Sequence, residues 1–141
     1  MTIKQISIFL ENKYGKLNEV LTLLSQANIR IIAATVADTT EFGILRMIVS
    51  DAQKAHLLLK NNNVSVSLTE VLAVATQPSA DSFAAILTCF TDAGLCIEYM
   101  YCFSFREKSV IVLRTNHCED ALEVVRKQNL KCMTENDLIT L

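Results

Sequence analysis

"LNEVLTLLSQANIRI" (residues 17–31) and "FAAILTCFTDAGLCI" (residues 83–97) carry one apolar rhythm, displaced by 66 positions. Leu17, Val20, Leu21 and Leu24 of the first lie over Phe83, Ile86, Leu87 and Phe90 of the second. Each set is spaced i, i+3, i+4, i+7, which is one face of a helix. Ala27 lies over Ala93 and Ile31 over Ile97. A repeat at fixed period decides the architecture before any single element does.

The register holds without a gap in both directions. "ISIFL" from Ile6 lies over "LAVAT" from Leu72, and "GILRMIV" (43–49) over "SVIVLRT" (109–115). Ala55, Leu58 and Leu59 lie over Ala121, Val124 and Val125, and Asn63 over Asn129. The first copy predicts a strand at 3–10, a helix at 16–27, strands at 29–38 and 42–50, a helix at 51–62 and a strand at 64–69. The second predicts the same series at 70–76, 80–93, 95–105, 108–115, 117–128 and 130–134 or beyond. That is βαββαβ twice, an α+β fold of two ferredoxin-like units with antiparallel sheets. The expected domains are 1–69 and 70–141, with no Gly/Pro/Ser linker between them. Units of about 70 residues bury only about 60% of their unfolded surface. Packing side by side, and a homodimer of the whole chain, are the expected ways of covering the remainder.

Helix ends are marked as well. Asn28 and Gly94 fall at equivalent places just after the first helix of each copy, and both residue types tolerate the left-handed conformation that closes helices. Ser79 or Asp81 is the expected N-cap of the second copy's first helix. Tight connections are expected at "TTEFG" and "FREKS".

Composition narrows the function classes. Of 141 residues, 51% are apolar and 20% charged, which marks a core-forming chain. Net charge is −2 with no dense Lys/Arg run, against nucleic acid as a partner. No apolar run approaches the ~18 residues of a membrane span. "MTIKQISIFLENK" alternates polar and apolar and has no signal-peptide core, so a cytoplasmic location is expected. The five cysteines, Cys89, Cys96, Cys102, Cys118 and Cys132, read as free thiols. Those at 89, 96 and 102 are expected to be small buried hydrophobes. His117 beside Cys118 is the one adjacent nucleophile–base pair, and neighbours in a helix point different ways. No metal, no cofactor and no catalytic residue is expected.

Strand, short glycine loop, helix, then "ANIRI" or "AGLCI" opening the next strand resembles the ACT domain. The resemblance runs over the whole chain, twice, as in small proteins made of two ACT domains. It implies a non-catalytic regulator that binds a free amino acid, or a close relative, at an interface between ACT units. In that family the loop after the first strand offers backbone groups, and the second-strand start of a neighbouring unit completes the site. Carried over, copy one supplies Asn12, Lys13, Tyr14, Gly15, Lys16 and Leu17, with Asn28, Ile29 and Arg30. Copy two supplies Ser79, Ala80, Asp81, Ser82 and Phe83, with Leu95, Cys96 and Ile97.

The chemistry suits such a ligand, because helix N-termini present unpaired N–H groups to a carboxylate. The copies differ. Tyr14 stands where the family often has Pro, and Asp81 takes the place of the loop glycine in copy two, where it repels a carboxylate. Copy one is therefore the expected binding loop. Tyr14 stacks on a ligand or caps an edge; Lys13, Lys16 and Arg30 are solvated or meet a carboxylate. The resemblance also implies output through a separate enzyme of amino acid metabolism. The alternative is a ligand-free interaction module serving as that enzyme's regulatory subunit. Tyr99, Tyr101, Phe103 and Phe105 stripe one strand face at period two, and packing against the other unit or a dimer mate is expected of them.

Overall fold

The computed structural model describes residues 1–11, 15–38 and 42–140. Along the chain run β1 (Ile3–Glu11), α1 (Lys16–Gln26), β2 (Ile31–Asp38), β3 (Phe42–Val49), α2 (Ala52–Asn61) and β4 (Ser65–Thr76). Then come α3 (Ala80–Asp92), β5 (Ile97–Phe105), β6 (Lys108–Thr115), α4 (Cys118–Lys127) and α5 (Glu135–Ile139). The described residues divide into two compact units, one of Lys4–Thr69 and one of Met1–Ile3 with Glu70–Thr140. The expected strands at 64–69 and 70–76 are one strand, β4, which gives its first half to one unit and its second half to the other. In the first unit the strand order is β2-β3-β1-β4; in the second it is β4-β6-β5.

The two cores are one design repeated. In the first, Ile6 and Ile8 of β1, Val20 and Leu24 of α1, Leu45 and Met47 of β3 and Ala55 of α2 are buried together. In the second the cluster is Leu72, Val74, Ile86, Phe90, Ile111, Leu113 and Ala121, each 66 positions on. Burying such a Val, Leu, Ile or Phe side chain stabilises by about 1.5–3 kcal/mol. Alternation along β1 and 3.6-residue spacing along α1 bring these side chains to the same space.

Backbone hydrogen bonds repeat with the same offset. After α1, Asn28 donates to Ser25 and Ile29 to Leu24; after α3, Gly94 donates to Thr91 and Leu95 to Phe90. After α2, Asn63 donates to Lys60 and Val64 to Leu59; after α4, Asn129 donates to Arg126 and Leu130 to Val125. The residues that make these closures possible sit in the left-handed region: Asn28 at φ 56, Gly94 at φ 78, Asn63 at φ 61 and Asn129 at φ 53. Register against the central strand shifts between Ile31 and Ala33, and again between Ile97 and Tyr99. β2 and β5 start at 31 and 97 instead of the expected 29 and 95, because the Ile29 and Leu95 N–H groups are spent on closing the helices before them.

The β5–β6 hairpin closes through two residues, Arg106 at φ 45 and Glu107 at φ 66. Such a turn wants Asn-Gly, and a residue with a Cβ held left-handed costs about 1–2 kcal/mol.

One expected element differs. The strand at 130–134 is reduced to a single bridge between Val74 and Cys132, flanked by the Ala75–Lys131 and Met133–Ala73 hydrogen bonds. Thr134 ends it by starting a helix. Its hydroxyl accepts from the Asp137 N–H, and the Asp137 carboxylate accepts from the Thr134 N–H at 2.9 Å. This capping box turns the chain into α5, which buries Leu138 completely.

The Thr134 backbone N–H, with the hydroxyl second, holds the Asp137 carboxyl below the usual carboxylate range. Its contribution is thus complete above the ordinary carboxylate pKa and is lost as pH falls through the depressed folded value. NMR shifts of residues 134–139 should report fraying of α5 in that acid window. Asp137→Asn should abolish the pH dependence; an unchanged titration in that variant would assign it to another group.

Candidate functional site

Gly15 is the N-cap of α1 and sits at φ 84, where residues with a Cβ are strained. It carries no side chain, and among the described residues no N-cap side chain bonds the first turn. The Gly15 carbonyl accepts from Glu19 N–H at 3.0 Å, the first bond of the helix. Among the described residues, and its chain neighbours apart, a Cβ placed on Gly15 meets nothing within 4 Å.

Beside this end lies a hollow of about 380 Å³. The end of β1 contributes Phe9 and Glu11, α1 contributes Lys16 and Glu19, β3 contributes Phe42, and the turn after α2 contributes Asn62 and Asn63. Phe9 is 57% and Phe42 49% exposed, an unusual state for two aromatic rings that share a rim. Lys16 Nζ donates to Glu19 Oε2 at 3.5 Å. Sequence reasoning found the loop but not this lining. Phe9, Phe42 and Asn62 belong to three elements that only the sheet order brings together. Of the expected site residues, Gly15, Lys16 and Leu17 are at this end of α1; Asn12, Lys13 and Tyr14 lie outside the described residues.

Asn28, Ile29 and Arg30 follow the other end of α1 and line a different hollow, of about 490 Å³, with Leu21, Ser25 and Ile31. An 11-residue helix, about 16 Å long, separates the two groups. Within one unit, then, Gly15, Lys16 and Leu17 do not meet the second-strand start. Ile29 is buried in the core. Arg30 N–H donates to Ser50 Oγ and its carbonyl accepts from Ser50 N–H, both at 2.9 Å.

The second copy is built differently at the same place. Ser79, not Asp81, caps α3, and its Oγ accepts from Ser82 N–H at 3.2 Å. The Ser79 and Ser82 hydroxyls also bond at 2.9 Å. The helix N-terminus is thereby partly satisfied by its own chain. Ala80 and Asp81 are exposed, while Phe83 and Ile97 pack against the core and Leu95 lies inside it. Cys96 N–H donates to Asn116 Oδ1 at 3.1 Å.

The thiols do not behave as one class. Cys89, expected to be buried, is half-buried against the core, and Cys96 and Cys102 are exposed. Cys96 precedes β5, and Cys102 lies on a strand with a neighbour on one side only, so even spacing did not bury them. Burial, then the charge of Glu70, pushes the Cys118 thiol up, the reverse of nucleophile activation. His117 caps α4 by position without a side-chain hydrogen bond. Among the described residues no group of three His, Cys, Asp or Glu side chains is arranged to hold a metal ion. No helix among them is long and apolar enough to cross a membrane.

The fold has close company among solved structures. Protein BT0572 from Bacteroides thetaiotaomicron superposes with a TM-score of 0.93 at 37% identity, over 100% of this chain and 98% of that one. The ligand-free regulatory subunit of aspartate kinase from Thermus thermophilus gives 0.64 at 16% identity, over 88% and 91%. Aspartokinase III from E. coli, solved with lysine and aspartate, gives 0.52 at 18% identity, over 92% of this chain and 31% of that one. No curated protein matches the sequence. A family model described as an ACT domain pair matches residues 1–141, and the chain belongs to that family of regulatory modules.

Proposed function

We propose that the protein is a cytoplasmic amino-acid sensor. A free amino acid, or a close relative, binds at the Gly15 end of α1, and binding shifts an equilibrium felt by a separate enzyme of amino acid metabolism. The observation that supports this most is the glycine at the start of α1, which offers no capping side chain of its own, beside a hollow with aromatic, amide and carboxylate walls. A carboxylate placed there accepts from backbone N–H groups at the positive end of the helix. The dipole contributes only about 0.3–1 kcal/mol, so several contacts and a closed site are needed. Because Asn28 and Arg30 follow the far end of the same helix, a second ACT unit must bring its own strand start to the loop. A homodimer supplies one. The Thermus neighbour is a regulatory subunit and the E. coli neighbour was solved with amino acids, which fits this reading of the shared fold.

Thermal melting against each of the twenty amino acids tests it. At about 100 times its dissociation constant, an effector adds ~2.7 kcal/mol. For a chain of this size that raises the midpoint by roughly 5–10 °C. If no amino acid moves the midpoint, the sensor reading fails. The self-capped Ser79 favours the other reading, an interaction module without ligand, for the second copy. Capture of a partner enzyme that is indifferent to amino acids would support that reading instead.

A further inference from the structure

We infer a second, independent binding site, for a small dianion, in the unit of Met1–Ile3 with Glu70–Thr140. A hollow of about 330 Å³ lies at the tip of the β5–β6 hairpin, within the usual range for small-molecule sites. Three cations line it: Arg106 from the hairpin turn, Lys108 from the start of β6 and Lys131 from the segment after α4. Its apolar wall includes Phe105 and Met133. The one carboxylate in the lining, Asp137, is already engaged by the Thr134 N–H. Three positive charges against one negative leave a surplus of two in the lining, with Glu107 of the same turn outside it, in a chain whose net charge is −2. Such a local reversal of sign attracts an anion of matching charge.

The turn adds a separate observation. Arg106 and Glu107 both hold left-handed backbone where Asn and Gly serve at lower cost. A strained residue kept in a turn points to a use for its side chain. Arg106 lies over the Phe105 ring, its guanidinium carbon 5.5 Å from the centroid, a cation–π contact between two residues of the lining. Among the described residues, the ion pairs formed include neither Arg106 nor Lys108. The site is built from Ala75, the hairpin and the chain after α4, and shares no residue with the Gly15 hollow. Phosphate monoesters and small dicarboxylates share the required chemistry.

Inorganic phosphate and succinate, each titrated into the intact protein at ionic strength matched with potassium chloride, provide the test. Backbone amide NMR shifts at 105–108 and 131–134 should move and saturate with one or both ions. Saturation with phosphate alone identifies a phosphate ligand, and saturation with both identifies dianions in general. Lys108→Gln with Lys131→Gln should weaken the response at least tenfold. Arg106→Asn with Glu107→Gly should raise the melting temperature while also weakening it, since it relaxes the turn and removes the arginine. Gly15→Val should leave it unchanged, which separates this site from the amino-acid site. Shifts that follow ionic strength alone, or that persist in the lysine double variant, would overturn the inference.

Discussion

Phe90→Ala is expected to remove about 3–5 kcal/mol of stability, the usual cost of deleting a buried aromatic side chain and leaving a cavity. Phe90 is fully buried from the last turn of α3, packed in the cluster with Leu72, Ile86 and Leu113. Its partner one repeat earlier is Leu24, buried in the same place against Ile6, Val20 and Met47. Leu24→Ala should cost about 2–5 kcal/mol. Either loss is a large share of the ~5–15 kcal/mol typical of a folded domain. Urea denaturation followed by circular dichroism measures both. Leu57→Ala serves as the control: Leu57 is 58% exposed on α2, and its removal should change stability by no more than about 0.5 kcal/mol. A Phe90→Ala midpoint close to that of Leu57→Ala would mean that the second core is not packed around this residue.

The equivalence of Leu24 and Phe90 explains why the fold could be read from the sequence. Apolar positions that recur at one offset through a helix, a strand and a second helix state their burial twice, so chance matches cancel. The closures at Asn28 and Gly94 were legible for the same reason, since each is one of the few residue types that accept positive φ, and Asn63 and Asn129, aligned by the same offset, close the second helices in the same way.

Other features were hidden by physics that pattern does not carry. Residues 130–134 have strand-like composition, but the Thr134–Asp137 capping box favours a helix immediately after them. "TEND" was visible in the sequence and offered the signal. Cys96 and Cys102 were read by alternation, which says which face a residue takes but not whether anything covers that face at a strand with one neighbour. The two hollows were less legible still. Phe9, Phe42 and Asn62 on one, and Arg106 and Lys131 on the other, are brought close by strand order and by turns, not by spacing.

Gly15→Val is expected to abolish the amino-acid response while leaving the protein folded. The backbone cost is that of holding a β-branched residue at φ 84, about 1–3 kcal/mol. Among the described residues, its chain neighbours apart, a Cβ at Gly15 meets nothing within 4 Å, so the backbone cost is the main one. A folded variant is therefore expected, and circular dichroism and a melting curve without ligand check this. The open space that makes the substitution tolerable is also the space a carboxylate must enter to reach the first N–H groups of α1. The ~2.7 kcal/mol that a saturating effector adds at 100 times its dissociation constant should consequently disappear. Gly15→Asn distinguishes the two ways in which valine acts, since asparagine accepts left-handed backbone at little cost yet still fills the approach. Loss of the response in both variants means that the ligand needs contact with bare backbone. Loss in valine alone means that the loop conformation is what matters. A full response in the valine variant would show that the effector binds elsewhere, and the Gly15 hollow would have to be given up as the amino-acid site.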